Sequence, residues 1–424
     1  MTVYRRRISV CVLGIVSAVW SSFACPSAIA QRDRTLADGQ FSSATFSRSG
    51  KTLLTAGRRK VQLWDVETGM LIREFEGHRA SIFSVSFSPH ENHVLTSAGN
   101  AGLFGPEDPT SRLWNVETGK QLAEFDNSRD PIIKRLSPGY KNYVQSAQFS
   151  PDGKQIVAFS ILGHVKGDVA VMWDAETREQ LFVLTGLSGH SKATMRLEQV
   201  RFSPCGKTLA GLASDSTQIR LWDAKTGAVI WQVNCPRHGL ERMKHLGSIE
   251  FSPDGKLLLA VSSDKMARIW DLSTRQSLRL LRGHTSLIFA SKFCFDGKSI
   301  MTASKDGTAR LWDTDSGRQV RQFQHSGPIM EMEINNDSTR MVTKWRRSKE
   351  NTAQKGNQWR ASIWDVKTGR EVRQFELSSP SRGPYTPIVF TPNGRQILMK
   401  LKTEKVVLID ARTGEIQRNF TDRN

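Results

Sequence analysis

Residues 283–323 read GHTSLIFASKFCFDGKSIMTASKDGTARLWDTDSGRQVRQF and contain the pattern from which the architecture is predicted. An apolar residue, Phe293, precedes a turn that ends at Gly297, and glycine accepts the positive φ that tight hairpin turns require. Apolar and polar residues alternate over 309–312, as is typical of a half-buried strand. A second tight turn at 313–317 leads into another strand at 318–323. The segment therefore predicts four short antiparallel strands, named a to d here.

The same unit occurs eight times along the chain. Its first mark is an apolar residue before the a–b turn, and its second mark is a large apolar residue followed by Asp or Asn at the end of strand c. The first marks are Phe46, Phe87, Phe149, Phe202, Phe251, Phe293, Ile334 and Phe390, and the second marks are Trp64, Trp114, Trp173, Trp222, Trp270, Trp312, Trp364 and Ile409. The second marks lie on average about 49 residues apart, near the length of a four-stranded propeller blade.

This repeat predicts an all-β chain, a β-propeller of eight four-stranded antiparallel blades. Seven of the eleven tryptophans occupy one register, which indicates that they pack between neighbouring sheets. A ring of seven blades with an appended piece is the alternative, because units seven and eight are the least faithful copies of the repeat.

The motifs within the unit resemble the WD-repeat family of β-propellers. The resemblance rests on Trp-Asp at the end of strand c, on Ser-Pro-Asp-Gly-Lys turns and on Gly-His dipeptides at 77–78, 189–190 and 283–284, and it covers residues 38–420. It implies a structural tetrad in unit six, formed by His284, Thr302, Asp306 and Trp312, that locks a blade. It also implies a platform for protein partners rather than an enzyme.

The first thirty residues have the pattern of a secretory signal peptide. Three arginines at 5–7 precede an apolar run from Ile8 to about Cys25, and Ala28 and Ala30 form a small-residue cleavage pattern. We expect cleavage after Ala30 and export of residues 31–424, a single propeller domain, to the outside or to the cell envelope. That envelope location is the periplasm in a two-membrane bacterium. Retention of the segment as an N-terminal anchor is the alternative.

The composition limits the chemistry of the chain. The 424 residues carry 60 Lys and Arg against 41 Asp and Glu, a net charge of +19 that becomes +16 without the signal, which holds three arginines and no acid. A mean hydropathy of −0.40 excludes a multi-span membrane protein. The mature chain holds only Cys205, Cys235 and Cys294, too few for a disulfide framework.

Catalytic, cofactor and metal motifs do not emerge from the sequence. The groups His90–Glu91–His93 and Cys235–His238–His245 match no recognised zinc spacing, and there is no Gly-rich phosphate loop or nucleophile elbow. We therefore expect no cofactor, no metal and no enzymatic activity. A hydrolase or another propeller enzyme remains the rival hypothesis.

The lengths of the connections indicate where function is built. Insertions fall only between strands b and c or between strand d and the next strand a. In an up-and-down blade these connections emerge at the same end, which we name the variable face; the a–b and c–d turns form the constant face. The variable face is the expected binding surface.

Basic residues concentrate in the b–c connections of units seven, eight and one, which together carry about +10. We expect this basic arc to contact an acidic protein partner or an anionic polymer, with two tryptophans supplying a stacking surface. The alternative is that the basic arc is a solvated loop that binds nothing. We expect the protein to be a monomer. The candidate residues are Arg58, Arg59, Lys60, Lys344, Trp345, Arg346, Arg347, Lys349, Lys355, Trp359, Arg360, Lys400 and Lys402.

Overall fold

The fold is described from a computed structural model. It describes residues 42–57, 59–99, 108–136, 142–162, 169–185, 197–213, 218–234, 248–262, 264–347, 358–377, 387–403 and 406–420. The predicted signal peptide at 1–30 lies outside the described residues.

Within these described ranges, thirty-two strands form eight four-stranded antiparallel sheets, each in chain order. Blade 1 comprises β1 (Ser43–Phe46), β2 (Thr52–Ala56), β3 (Lys60–Asp65) and β4 (Leu71–Glu76); blade 2 comprises β5 (Ser81–Phe87), β6 (His93–Gly99), β7 (Thr110–Asn115) and β8 (Gln121–Asp126). Blade 3 comprises β9 (Asn142–Phe149), β10 (Gln155–Leu162), β11 (Val169–Asp174) and β12 (Gln180–Thr185); blade 4 comprises β13 (Leu197–Phe202), β14 (Thr208–Ala213), β15 (Gln218–Asp223) and β16 (Val229–Asn234).

The second half of the ring repeats this order. Blade 5 comprises β17 (Ile249–Phe251), β18 (Leu257–Val261), β19 (Ala267–Asp271) and β20 (Ser277–Leu281); blade 6 comprises β21 (Ile288–Phe293), β22 (Ser299–Ser304), β23 (Thr308–Asp313) and β24 (Gln319–Gln324). Blade 7 comprises β25 (Ile329–Ile334), β26 (Arg340–Arg346), β27 (Trp359–Asp365) and β28 (Glu371–Leu377); blade 8 comprises β29 (Val389–Phe390), β30 (Gln396–Lys400), β31 (Val406–Asp410) and β32 (Ile416–Phe420). The prediction of an all-β, eight-bladed propeller is confirmed.

One helical segment interrupts this pattern. A 3-10 turn at Asn127–Arg129 is followed by α1 (Pro131–Leu136) in the connection between blades 2 and 3. The sequence pattern gave no helical period here, because the segment is too short to show one.

The core lies between the blades. Each blade packs its apolar side chains against the next, and the last interface joins blade 8 to blade 1. There Leu53 and Trp64 of blade 1 share a buried cluster with Leu398, Leu408 and Phe420 of blade 8, and the rings of Trp64 and Phe420 meet edge to face at 6.2 Å. The ring is therefore closed by eight blades, and the seven-blade alternative is wrong.

The innermost strands are joined by side chains across the blade interfaces. An edge strand leaves one row of backbone groups without ladder partners. Glu250 Oε2 of blade 5 accepts a hydrogen bond from the Phe293 N–H of blade 6 at 2.9 Å, and Gln199 Oε1 accepts one from the Ile249 N–H at 2.9 Å. These contacts hold neighbouring blades in register around the channel.

In the six blades that carry glycine at the end of the c–d turn, this glycine lies against a side chain of the preceding blade. In blade 6, Asp313 Oδ1 accepts a hydrogen bond from the Ser316 N–H at 2.8 Å, and Gly317 has a φ of 68°. Arg279 of blade 5 lies against this glycine and donates from Nε to the Asp315 carbonyl at 2.5 Å. A side chain at position 317 would meet both a strained backbone and the arginine.

Candidate functional site

The four tetrad residues predicted in unit six come together in blade 6. His284 Nδ1 lies 2.8 Å from Asp306 Oδ2, and its Nε2 lies 2.7 Å from Thr302 Oγ1, which accepts a hydrogen bond of 2.8 Å from Trp312 Nε1. Burial opposes ionisation of Asp306, but hydrogen bonds from His284 and Thr308 outweigh it and hold the pKa of this carboxyl well below its usual range. The imidazole, the threonine and the indole are buried, so the group acts as an internal tie.

Blade 2 holds a second tetrad that the sequence reasoning missed. His78 Nδ1 lies 2.9 Å from Asp108 Oδ2 and Nε2 lies 2.6 Å from Thr96 Oγ1, which also accepts from Trp114 Nε1 at 3.0 Å. The Gly-His dipeptide at 77–78 signalled it. The insertion separates Asp108 from Thr96 by twelve residues, whereas Asp306 follows Thr302 by four. The signal that could have found it is the spacing to the tryptophan, because Asp108 precedes Trp114 by six residues as Asp306 precedes Trp312.

Packing explains why the residue before His78 is a glycine. A Cβ at Gly77 would lie 2.8 Å from Arg112 Nη1 and 3.0 Å from Trp114 Cη2, at a φ of +153°. The strand c arginine therefore occupies the space that a side chain would need. The dipeptide at 189–190 lies outside the described residues.

Two of the predicted binding residues are core residues. Trp345 and Trp359 are 2% and 5% exposed; the first packs between blades 6 and 7 and the second between blades 7 and 8. The reason is that β26 and β27 continue into the inserted connection, where Trp345 pairs with Arg360 and Arg346 pairs with Trp359. The expectation that these tryptophans offer a stacking surface is wrong.

Several charges of the predicted arc are buried or neutralised. Lys344 and Lys400 are each 5% exposed, and Lys344 Nζ lies 3.3 Å from Glu331 Oε2. Lys60 pairs with Glu74 at 2.9 Å and with Glu76 at 3.1 Å, because these carboxylates project from the adjacent strand β4. Burial and pairing therefore remove much of the expected local excess of about +10.

Glu376 forms ion pairs with two further cations of the arc. It lies 3.5 Å from Arg360 Nη2 and 2.9 Å from Lys402 Nζ. The residues of the arc that remain exposed are Arg59, Arg346, Arg347 and Lys402. Arg58, Lys349 and Lys355 lie outside the described residues.

Exposed cations instead occur at several blades in the described part of the variable face. The exposed acids in the described part of this face and its edge are Glu76, Glu124 and Glu376, and each forms an ion pair. The exposed cations are Arg59, Arg79, Arg129, Lys134, Arg135, Lys265, Arg282, Lys305, Arg346, Arg347 and Lys402. In the described part of the chain, exposed cations therefore extend beyond the arc of units seven, eight and one to blades 2, 5 and 6 and to the connection between blades 2 and 3.

The described residues form neither a metal-binding cluster nor a membrane-spanning helix. Within the described ranges, no three His, Cys, Asp or Glu side chains are grouped so that they could hold a metal ion. The helix in the described part of the chain is too short to cross a membrane, and no longer apolar helix occurs there.

A closed ring of eight four-stranded units, tied internally by His–Asp–Thr–Trp networks, defines a WD-repeat β-propeller. The family model described as WD domain, G-beta repeat, matches residues 69–115. A second family model, described as outer membrane protein assembly factor BamB, matches residues 165–420. Because this second match spans more than half of the chain, the chain belongs to that family.

Curated proteins match shorter stretches. Apoptotic protease-activating factor 1 of Rattus norvegicus is 26% identical over 158 residues, 37% of this chain and 11% of that protein. WD repeat-containing protein SL1-17 of Schistosoma mansoni is 25% identical over 171 residues, 40% of this chain and 46% of that protein. Denticleless protein homolog B of Xenopus laevis is 40% identical over 52 residues, 12% of this chain and 7% of that protein. The matches thus span less than half the length of each of these relatives.

Proposed function

We propose that the protein is an exported, non-enzymatic scaffold that binds partner proteins through its variable face. WD-repeat propellers commonly act as protein-interaction scaffolds. The observation that carries the proposal is that the insertions in the sequence fall only in the b–c and d–a connections, and exposed cations occur at several blades in the described part of the same face. Loops on a rigid scaffold are where binding residues are usually placed.

Export is supported by two observations. The first thirty residues have the basic, apolar and small-residue order of a secretory signal, and the matching family description names an outer membrane assembly factor. We expect the mature N-terminus at or near Gln31. Intact-mass analysis of exported protein that still carried residues 1–30 would contradict this.

Selective blocking of the two faces tests the docking surface. In a Cys205→Ser/Cys235→Ser background, Arg347→Cys places a thiol on the variable face and Lys225→Cys places one on the constant face; both positions are exposed. Cys294 stays unreactive because burial raises the pKa of its thiol to about 12. Each thiol is then coupled to a maleimide-polyethylene glycol chain, and partner retention from an envelope extract is compared.

Blocking the variable face should abolish retention, whereas blocking the constant face should leave it intact. Equal retention by both conjugates, or loss from the constant face alone, would overturn the proposal. The unconjugated cysteine variants control for the substitutions themselves.

A second candidate function is binding of an anionic polymer, an acidic glycan or a nucleic acid, favoured by the exposed cations. Such binding weakens steeply with salt, because each neutralised phosphate or sulfate releases counterions. Arg346→Glu/Arg347→Glu should then weaken retention on heparin without lowering thermal stability, since exposed charges contribute little to folding. Unchanged retention at low salt would exclude these two arginines from the binding surface.

A further inference from the structure

The helical connection between blades 2 and 3 is fixed to the core at its first residue. Asn127 is buried and bridges strands b and c of blade 3. Its Nδ2 donates to Ser160 Oγ at 2.8 Å, and its Oδ1 accepts a hydrogen bond from Trp173 Nε1 at 3.1 Å. The connection therefore begins from a rigid, fully hydrogen-bonded position.

The next anchor is Asp130, which is also buried. Its Oδ1 accepts hydrogen bonds from the Ile132 N–H at 2.7 Å and the Ile133 N–H at 3.1 Å, and its Oδ2 accepts one from Gln180 Nε2 at 2.6 Å. Ile133 is 0% exposed and packs on strand β11 of blade 3. The inward side of α1 is thus held by a cap, a cross-strand hydrogen bond and an apolar contact.

The outward side of the same segment is basic. Lys134 and Arg135 are exposed in the last turn of α1, and the side chain of Arg129 is 79% exposed. The two acids here are engaged, because Asp130 caps the helix and Asp126 pairs with Arg129 Nε at 2.9 Å. Positive charge is therefore what the segment presents to solvent.

We propose that this docking segment, Asn127–Leu136, is a preformed contact for a short Asp/Glu-rich stretch of a partner protein; the inference rests on the scaffold function proposed above. A rigid segment binds without the cost of ordering a loop, and its charges discriminate against basic surfaces. A regular polyanion would draw on cations at several blades of the face, whereas the adjacent pair Lys134 and Arg135, with the ion-paired Arg129 beside it, matches a short acidic stretch.

The test measures fluorescence anisotropy of a labelled oligoglutamate peptide with the mature protein at low ionic strength. Lys134→Glu/Arg135→Glu should weaken binding by about tenfold or more. Lys207→Glu/Lys225→Glu makes the same charge change at exposed positions of the constant face and should change binding less than about twofold. Lys134→Gln/Arg135→Gln should give an intermediate loss, and it replaces the reversal variant if the latter does not fold.

Equal losses in the two reversal variants would show that only net charge matters, and would overturn the inference. Binding of heparin or single-stranded DNA without binding of oligoglutamate would overturn the assigned partner class. If blocking at position 347 abolishes partner retention while Lys134→Glu/Arg135→Glu does not change it, the inference fails and the scaffold function stands. If neither the conjugate at position 347 nor the conjugate at position 225 reduces partner retention, the scaffold function itself fails.

Discussion

His325 occupies the histidine position of blade 7 without the carboxylate that pairs with His284 in blade 6. Its Nε2 lies 2.7 Å from Thr343 Oγ1, which also accepts from Trp364 Nε1 at 3.0 Å. Its Nδ1 has no partner among the described residues, and the residue four positions after Thr343 is Arg347 rather than an acid. Burial lowers the pKa of His325 to about 4, so the ring is neutral at pH 7.

This residue should make stability depend on pH. The unfolded chain, with a histidine pKa of about 6.5, binds the proton more readily than the folded chain. The contribution of neutral His325 is therefore fully present above about pH 6.5 and is lost as the pH falls towards 4. Glu333 acts in the opposite direction on stability. Burial raises its pKa to about 7, so lowering the pH protonates the carboxylate and removes the free-energy cost of a buried charge.

The comparison of wild type with His325→Gln isolates the histidine. At pH 7 the variant should be the less stable protein, and the difference should narrow by up to about 3 kcal/mol by pH 4, at about 1.4 kcal/mol per pH unit. Denaturant unfolding across this pH range measures the difference. A difference that does not vary with pH would contradict the assignment.

Gly77→Ala should destabilise blade 2 by about 2–3 kcal/mol, through the positive φ and the contact with Arg112. The matched control is the same change in an Arg112→Ala background. Because the missing guanidinium leaves room for the methyl group, Gly77→Ala should cost less stability in the Arg112→Ala background. Denaturant unfolding of the four proteins in a double-mutant cycle measures the coupling free energy between the two positions. Additive losses would show that Arg112 does not set the requirement for glycine.

At the level of strands and connections, the sequence predicted what repeats and failed where the repeat is interrupted. The turn signals and the strand c tryptophans specify the blades, because they carry backbone and packing requirements in fixed register. The length of an insertion does not reveal where the strand ladder ends. For that reason Trp345 and Trp359 were assigned to the surface, and Asp108 was not recognised as a tetrad residue. The burial of the two tryptophans depends on how far β26 and β27 pair within blade 7 and on packing against blades 6 and 8.

Trp345→Ala should therefore cost about 3–5 kcal/mol of stability, the range for a buried aromatic side chain replaced by alanine. Its Nε1 also donates to Ser362 Oγ at 3.0 Å, and this acceptor would lose a partner. Arg346→Ala is the neighbouring control, because Arg346 is exposed and should change stability by less than about 0.5 kcal/mol. Similar melting curves for the two variants would be inconsistent with a buried Trp345.

For the whole molecule, the sequence predicted the number of blades, and it misplaced the charge. A count along the chain cannot tell exposed cations from buried or paired ones, as Lys400 and Lys60 show. The fold also exposes Arg79, Lys265 and Lys305, which lie outside the three connections in which basic residues concentrate along the sequence. The basic character of the variable face therefore arises from the assembly of the ring.

Ring closure by blade 8 leads to the last prediction, that deleting residues 386–424 abolishes cooperative folding. Blade 8 covers Trp64 and Leu53 of blade 1 on one side and Trp359 and Phe375 of blade 7 on the other. Each large apolar side chain contributes about 1.5–3 kcal/mol when it is buried. Exposing both interfaces therefore removes burial free energy comparable to the whole free energy of unfolding of a domain, about 5–15 kcal/mol.

Deletion of residues 421–424 alone is the control and should leave the calorimetric transition unchanged. A soluble 386–424 deletion that melts as the full chain does would show that blades 1–7 form a stable unit without blade 8.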